Sequence, residues 1–410
     1  MRIDGDRRII SASVDGPEEV VAVLASIVPK FPKVLVETDR VLSAATSIST
    51  NVIGPTIRSK NFPDSVSQYT IQLLHELSRL QNNQKTWKKD VGEALNDSRF
   101  FGMRVELVQD GWLPLLKQWI VADKDRMAEI INRITAPTTA GIVFGVGATS
   151  ARLEADRKTQ VNLRRIATIV LAGADDAFVA DLPDIFAKLV ELLPATATSS
   201  PSSATRGDIY MVIRALVLKT SPVHLAMLWP VVNAELHAAI SSVVAPDNST
   251  ASDTYANPAV LQACKLLDLL ICVAPDDFQL HEWLFITDTI DAVHHYSGSQ
   301  PVALVDELSE DLGTAATSQQ SASESDATAA AHMVASSSHR RPLLGPGGLG
   351  DEAGYERRDE LVAKVLRPFF GQLSIFAFES TYAMAPLDRE NCVQGLLRDI
   401  FDERSIARAL

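Results

Sequence analysis

The chain has 410 residues, 46% of them hydrophobic, and a formal net charge of −13 at pH 7. This length and apolar content provide for two or three domains with a continuous core. The acidic balance argues against general affinity for nucleic acid or an anionic membrane, and the lack of an uncharged apolar run of about 18 residues argues against a membrane span.

Apolar side chains recur at helical spacing from one end of the chain to the other. Pro17, Glu18 and Glu19 predict the first helix start, because proline suits the first turn and carboxylates face the positive end of the helix dipole. Helices are predicted at 17–28, 34–53, 64–80, 87–95, 105–120, 124–134, 151–170, 182–193, 209–218, 223–240, 262–273, 276–290, 360–384 and 387–409. The best strand candidates, 34–36 and 142–144, are too short to change this interpretation.

Dense helices with short connections favour stacked antiparallel hairpins. We therefore predict an all-α fold, an irregular HEAT- or armadillo-like α-solenoid, over residues 1–296. Residues 297–354 are predicted to form a disordered acidic linker, because they are poor in apolar side chains. Residues 355–410 follow as a helical pair that packs on its own array or on a second subunit. Shorter disordered stretches are expected at 195–204 and 246–257.

The segment Gln262–Asp291 shows the hairpin pattern most clearly. Two apolar helical stripes are separated by Ala274-Pro275-Asp276-Asp277, where proline ends the first helix and an aspartate can cap the second. Trp283 is expected in the core, like Trp112, Trp119 and Trp229. Such a pair cannot bury both of its faces alone, which indicates one unit of an array.

A family resemblance rests on several short segments: 262–291, Asp97-Ser98-Arg99-Phe100-Phe101, the 112–120 helix, Ser221-Pro222-Val223-His224-Leu225 and Leu228-Trp229-Pro230. Together they resemble the C-terminal region of the Dopey family, large cytosolic proteins of Golgi and endosomal membrane traffic. The resemblance covers roughly residues 20–300 and 355–410. None of these segments is a catalytic motif.

Two basic clusters are candidate sites for a phosphorylated lipid headgroup, since arginine and lysine bind phosphate through charge-assisted hydrogen bonds. The first is the lysine pair Lys88 and Lys89 beside Trp87. The second lies on the helix predicted at 151–170 and comprises Arg157, Lys158, Arg164 and Arg165. The family resemblance implies phosphatidylinositol 4-phosphate as the ligand. The alternative for both clusters is a solvated helix face.

The last two predicted helices are rich in apolar side chains. The residues selected for dimerisation or docking are Phe369, Phe376, Leu396, Leu397, Ile400 and Phe401. The family's zipper-like C-terminus implies a homodimer interface, and the alternative is docking on the chain's own array.

Other chemistry is weakly signalled. The Gly145-x-Gly147 loop lacks the third glycine and the βαβ unit of a dinucleotide site, and His281-Glu282 has no second histidine at zincin spacing. Adjacent His294 and His295 point about 100° apart on a helix, which is poor geometry for one metal ion. Cys264, Cys272 and Cys392 show no CxxC spacing and no disulfide framework, which favours a reducing cytosol. Cys264 and Cys272, two turns apart on one helix, are expected to be small buried hydrophobic residues. No metal, cofactor or enzyme activity is expected.

These observations predict a non-enzymatic scaffold or adaptor, and the family resemblance implies that it is peripheral on Golgi, trans-Golgi network and endosome membranes. The family resemblance implies two partners, a large Golgi scaffold related to Arf exchange factors and a P4-ATPase flippase complex. The alternative is a passive protein-binding solenoid that neither binds lipid nor dimerises and is recruited to membranes by a partner.

Overall fold

The computed structural model describes residues 16–35, 37–80, 84–121, 125–134, 146–196, 200–243, 254–286, 303–305, 308, 339–349, 357–382 and 385–406. The regular structure of these residues is helical, and their only extended pairings are two isolated bridges, Arg340–Leu387 and Leu344–Leu349. The predicted all-α class is confirmed. Of the two strand candidates, Val34 belongs to a helical turn, and 142–144 lies outside the described residues.

The chain divides into two compact units, Met1–Lys124 and Asp125–Leu410. This division differs from the predicted boundaries at 296 and 354, because the C-terminal helices are part of the second unit's core. The N-terminal unit contains helices α1 (Pro17–Ile27), α2 (Thr38–Ile48), α3 (Gln68–Arg79), α4 (Gln84–Asn96) and α5 (Leu113–Val121). The C-terminal unit contains α6 (Arg126–Asn132), α7 (Val146–Ala172), α8 (Leu182–Thr196), α9 (Ser200–Lys219), α10 (Trp229–Ser241), α11 (Asn257–Val273), α12 (Arg367–Tyr382) and α13 (Arg389–Ile400).

Shorter helical pieces join these elements. They are α-helical turns at Phe31–Val34, Gly54–Ile57, Val105–Leu107, Asp276–Gln279 and Arg358–Leu361, π-turns at Ser49–Ile53, Val108–Trp112 and Val362–Leu366, and 3₁₀ turns at Val28–Lys30, Ser98–Gly102, Pro222–His224, Ala226–Leu228, Glu282–Leu284 and Glu403–Ser405.

An aromatic cluster lies in the core of the N-terminal unit. Phe100 packs edge-on against Phe101 and Trp112, and all three side chains are fully buried. Helix α3 begins at a Ser67 cap, whose side-chain oxygen accepts a hydrogen bond from the Thr70 amide at 3.3 Å. The capped helix turns its apolar face toward this core.

Three long helices, α7, α9 and α11, run parallel in the C-terminal unit. Arg164 of α7 contacts Asp208 of α9, and further along, the Asp176 amide donates to the Lys219 carbonyl at 2.8 Å. The Ala256 amide before α11 bonds Ser203 of α9. Consecutive contacts therefore progress in the same direction on all three helices, so their C-terminal ends meet at one edge.

The central helix α9 is covered on opposite sides. Arg206 bonds the end of α8 through the Leu193 carbonyl and α10 through Glu235. Asp208 lies about 200° further round the helix and faces Arg164 of α7 and the chain near α13. A helix enclosed in this way needs no polar face, which explains why residues 205–218 are buried throughout.

The structure departs from the predicted linker at residues 339–349. The side chains of Leu343, Leu344 and Leu349 are buried, and Arg340 exchanges backbone hydrogen bonds with Pro386 and Asp388. Residues 303–305 and 308 are also described and buried, whereas the remaining linker positions lie outside the described residues. Helices also occupy parts of the two shorter stretches predicted to be disordered, 195–204 and 246–257. Helix α8 extends to residue 196, α9 begins at residue 200 and α11 begins at residue 257.

Of the helix predicted at 276–290, residues 276–286 form two short turns, and 287–290 lie outside the described residues. Helix α11 ends at Ala274 in the left-handed conformation (φ 50°), and Pro275 follows. Phe278 and Phe285 are both buried and stack with ring centroids 6.1 Å apart. Because packing of these two rings requires the chain to turn between them, the intervening Trp283 lies outside the core, contrary to prediction.

One described helix, residues 358–380, is long and apolar enough by composition to cross a membrane. Such a composition is shared by core helices of soluble proteins, and here Phe369, Phe370 and Leu373 are buried inside the protein. The sequence expectation of no membrane span rested on an uninterrupted apolar run, which this helix lacks.

Candidate functional site

Two of the four cations predicted on α7 form an exposed surface. The Arg157 and Lys158 side chains are 40% and 71% exposed. Both lie near the Glu154 carboxylate, at 3.9 and 3.7 Å, so they share one counter-charge. We call this pair the basic patch. Its cations remain accessible to a phosphate in solution.

The other two predicted cations are not available to a headgroup. Arg164 is fully enclosed and donates to the Asp208 carboxylate at 2.9 Å and to the Ile400 and Asp402 carbonyls at 2.7 and 3.0 Å. Arg165 is also buried and donates to Asn162 at 2.7 Å. The prediction for these two residues is wrong, because their positions on α7 face neighbouring helices rather than solvent.

The predicted lysine pair belongs to the N-terminal unit. The side chain of Lys89 is 70% exposed and lies 3.8 Å from Glu93, while the Lys88 carbonyl accepts a hydrogen bond from the Trp119 indole at 3.1 Å. Neighbouring Trp87 is buried in the core. The lysine pair and the basic patch thus lie in separate compact units.

A chain of buried charges attaches α13 to the parallel helices. Asp399 accepts hydrogen bonds from Arg214 of α9 at 2.6 Å and from Lys265 of α11 at 2.5 Å. Burial alone would raise the pKa of Asp399, but the two cations outweigh it and lower the pKa to about 2. The carboxylate is therefore ionised at neutral pH and bridges three helices.

The Arg164 and Asp208 pair is part of the same system. Burial raises the pKa of Asp208, and the charge of Arg164 opposes that shift. A second Arg164 nitrogen donates to the Ser405 hydroxyl at 2.5 Å, so one guanidinium holds α9 and the chain after α13 together. Arginine suits this position because its planar fork directs several donors at fixed angles.

A separate polar cluster binds α8, α9 and α10 on the other side. Arg206 pairs with Glu235 and donates to Thr196 at 2.9 Å, while its guanidinium lies 4.8 Å from the ring centroid of Tyr255. Burial and the Glu235 charge raise the pKa of Tyr210, whose hydroxyl donates to Glu235 at 3.0 Å. All these groups are used within the fold.

Asp268 of α11 holds the 339–349 segment. Its fully buried carboxylate accepts a hydrogen bond from the Leu344 amide at 2.6 Å. Burial raises the pKa of Asp268 to about 7, although backbone hydrogen bonds and the charges of Arg214 and Lys265 oppose the shift. Sequence reasoning missed this residue because its partner lies 76 positions away in a segment predicted to be disordered.

The apolar residues selected for dimerisation or docking are all buried within the chain itself: Phe369, Phe376, Leu396, Leu397, Ile400 and Phe401. Helix α13 packs on α7 and α9, and α12 packs on α11. The structure therefore gives these side chains an intramolecular docking role. The predicted dimer interface would require them to leave that position.

The N-terminal unit has a cleft of about 570 Å³ between α3 and the π-turn Val108–Trp112. His75 lies in it, bonds the Gly111 carbonyl at 3.1 Å, and has a pKa lowered by burial. A Cβ added at Gly111 would approach Ile71 Cγ2 to 2.6 Å, so glycine permits the close contact of the two walls. Sequence reasoning did not predict this cleft.

The described residues contain no group of three or more His, Cys, Asp and Glu side chains that could hold a metal ion. His281 is exposed, and Gly147 of the predicted loop belongs to α7, whereas position 145 and the pair at 294–295 lie outside the described residues. The three cysteines are free and buried, which confirms the predicted burial of Cys264 and Cys272 and adds Cys392.

The chain matches the DOP1 C-terminal family over residues 4–383. It belongs to this family. It is 47% identical over 393 residues to Protein dop1 of Emericella nidulans, a match that covers 96% of this chain and 20% of that protein. The Saccharomyces cerevisiae protein DOP1 is 24% identical over 372 residues, which is 88% of this chain and 20% of the relative.

A third relative, protein DOP1B of Mus musculus, is 26% identical over 251 residues, covering 54% of this chain and 10% of that protein. These matches confirm the Dopey resemblance. The chain spans a fifth or less of the length of these relatives. No solved structure shows significant similarity.

Proposed function

We propose that the chain is a non-enzymatic scaffold or adaptor segment of Golgi and endosomal membrane traffic. The observation that carries this proposal is that the buried ionisable side chains form contacts between helices. Arg164, Arg214, Lys265 and Asp399 join helices to one another, which serves assembly of the fold. Membership of the DOP1 C-terminal family supports a role in membrane traffic.

In this proposal the outer surfaces of the helical array bind protein partners. The partner expected from the family resemblance is the large scaffold related to Arf exchange factors, and the P4-ATPase flippase complex is expected in the wider assembly. Since α13 and residues 339–349 already cover one side of the parallel helices, partners bind the remaining surfaces of the array.

The basic patch is the proposed contact with phosphatidylinositol 4-phosphate. Arg157 and Lys158 are exposed, and their contacts with the Glu154 carboxylate are 3.9 and 3.7 Å long. A phosphomonoester can replace this weak pairing with direct charge-assisted hydrogen bonds. The lysine pair is a second, independent candidate on the N-terminal unit.

Liposome flotation at about 0.15 M salt tests the lipid contact, because this ionic strength screens nonspecific attraction. We expect flotation with phosphatidylinositol 4-phosphate, and its loss in R157E/K158E. K88E/K89E tests the lysine pair. K30E/K33E reverses two other exposed lysines and controls for net charge. Retained flotation in R157E/K158E would exclude the basic patch.

A passive protein-binding solenoid is the second candidate function. Burial of Arg164 and Arg165 favours it, because it removes half of the cations predicted on α7. It predicts partner capture without flotation on lipid vesicles. Absence of flotation for the unmodified chain would select this function over direct lipid recognition.

A further inference from the structure

Two neighbouring turns expose large apolar side chains at the C-terminal ends of α9 and α11. The exposed fractions are 75% for Val223, 43% for Met227, 71% for Leu280 and 58% for Trp283. The turns are adjacent, since the Trp229 ring after the first lies 6.0 Å from the Phe278 ring before the second. We call the four exposed side chains the apolar edge.

Hydrogen bonds fix the first turn, and buried aromatic side chains fix the second. The Ser221 amide and hydroxyl donate to the Asp176 carboxylate, at 2.6 and 2.5 Å. Phe278 and Phe285 stack in the core on either side of Leu280 and Trp283. The apolar edge is therefore fixed in an outward position before any partner arrives, which lowers the entropy cost of binding.

The charge of these turns indicates the partner's chemistry. Residues 220–228 and 274–286 contain neither lysine nor arginine. Asp276 is exposed and Asp277 is half-buried, and neither forms an ion pair within the described residues. Lys219, directly before the first turn, pairs with Asp175, as does Arg389, and Lys265, the nearest cation before the second turn, pairs with Asp399. The apolar edge, flanked by carboxylates, is complementary to a partner whose apolar surface is flanked by cations. The same carboxylates repel an anionic bilayer.

The apolar edge also lies far from the basic patch. Helix α7 continues from Lys158 to Ala172, a rise of about 21 Å, and ends beside the turn that follows α9. A membrane held at the basic patch would leave the apolar edge accessible at the other end of the parallel helices.

We propose that the apolar edge binds a basic amphipathic helix of a protein partner, with Leu280 and Trp283 entering its apolar face and Asp276 and Asp277 contacting its lysines or arginines. This gives the proposed adaptor a protein-binding surface, but the edge is defined independently of lipid binding. Flotation reports on the basic patch alone, so failure of either proposal is distinguishable from failure of the other.

Trp283 provides a direct signal for the test. The other four tryptophans, Trp87, Trp112, Trp119 and Trp229, are at most 4% exposed, so quenching by acrylamide reports chiefly on Trp283. The probe is a synthetic amphipathic peptide of leucine and lysine at helical spacing. We expect it to bind the full chain and to protect Trp283 from acrylamide.

Variants separate the apolar and charged contributions, with binding followed by anisotropy of the labelled peptide. L280S and W283A are each expected to weaken binding about tenfold or more, as for central interface residues. D276N/D277N is expected to weaken it about threefold to tenfold, as for exposed ion pairs. The matched control V121S replaces an apolar side chain of the N-terminal unit that is 75% exposed, close to the 71% of Leu280, and should leave binding unchanged.

Three results would overturn the proposal. One is equal binding of a peptide in which glutamate replaces lysine, because charge would then not select the partner. Another is protection of Trp283 by phosphatidylcholine vesicles without peptide, which would assign the edge to a lipid surface. The third is no protection by the lysine peptide.

Discussion

Buried arginines are the residues on which the C-terminal unit depends most. Arg164, Arg206 and Arg214 each contact two or more segments, and each is almost completely enclosed. Replacement of both partners of a buried ion pair by apolar residues often changes folding stability little. Removal of one partner is strongly destabilising, because it leaves the other charge buried and unpaired. These side chains therefore determine which helices pack together more than how strongly the whole chain is stabilised.

Replacement of Arg164 by methionine should lower the free energy of unfolding by about 3–5 kcal/mol, since Asp208 would lose its buried cation. The Ile400 and Asp402 carbonyls would also lose a donor. Chemical denaturation of the full chain measures this change. The control, Arg157→Met on the same helix, should alter stability by about 0.5 kcal/mol or less. Equal midpoints for the two variants would contradict the prediction.

Stability should depend on pH through Asp268. An aspartate in the unfolded chain titrates near 3.9, whereas the pKa of Asp268 in the folded chain is about 7. The folded state thus retains a proton that the unfolded state releases, so stability falls as pH rises from about 4 to about 7. Asp90, with a pKa raised to about 6 by burial, contributes in the same direction.

Asp268→Asn should reduce this slope, because asparagine keeps an acceptor for the Leu344 amide but carries no titrating charge. Urea midpoints between about pH 5 and pH 7.5 measure it. The exposed Asp359 provides the control as Asp359→Asn. An unchanged slope in Asp268→Asn would assign the pH dependence to other groups.

At the scale of single elements, packing decides several features that local sequence does not. The π-turn Val108–Trp112 lies against α3, with Gly111 facing Ile71 at a separation too small for another side chain. π-turns of this kind interrupt helices at specific sites. The same two segments line the cleft beside His75.

Gly111→Ala should therefore destabilise the N-terminal unit by about 1–3 kcal/mol through overpacking. Ile71→Ala removes the clashing Cγ2, so the double variant should lose less than the sum of the two single losses. Gly371→Ala is the control: its added Cβ meets nothing within 4 Å, and it should stabilise α12 by about 0.5–1 kcal/mol. Simple additivity at Gly111 and Ile71 would rule out the steric explanation.

At the scale of the whole molecule, the C-terminal helices belong to the core of the second unit. Their apolar side chains are buried in the chain itself, and Asp399 links them to α9 and α11. Residues that already pack internally provide little free apolar area for a second copy.

Light scattering of the purified chain should accordingly give a mass near 44.5 kDa. A mass near twice this value would indicate that α12 and α13 exchange between copies or that another surface dimerises. Leu396→Asp distinguishes these two cases, because a charge at this buried position should prevent α13 from packing. A dimer formed by exchange of α12 and α13 would then be lost, whereas a dimer formed through another surface would remain.

Helix positions were predictable because apolar spacing is a local property. The path of residues 276–286 was not, since Phe278 and Phe285 turn toward the same aromatic cluster. The basic patch was predicted at Arg157 and Lys158, but charge alone could not show that Arg164 faces Asp208. The relevant partners of Arg164 lie 44 and 236 positions away, beyond the range of any local pattern.

The long sequence separation of these partners affects the order in which the protein can fold. A ribosome completes α7, α9 and α11 well before it makes α13, so Arg164 and Arg214 must wait for contacts 236 and 185 residues downstream. Closing such long loops is slow, and unfinished domains expose surfaces that aggregate. Until α13 has been synthesised, the faces of α7 and α9 that it covers are exposed, and we expect the nascent chain to be most prone to aggregation in this interval.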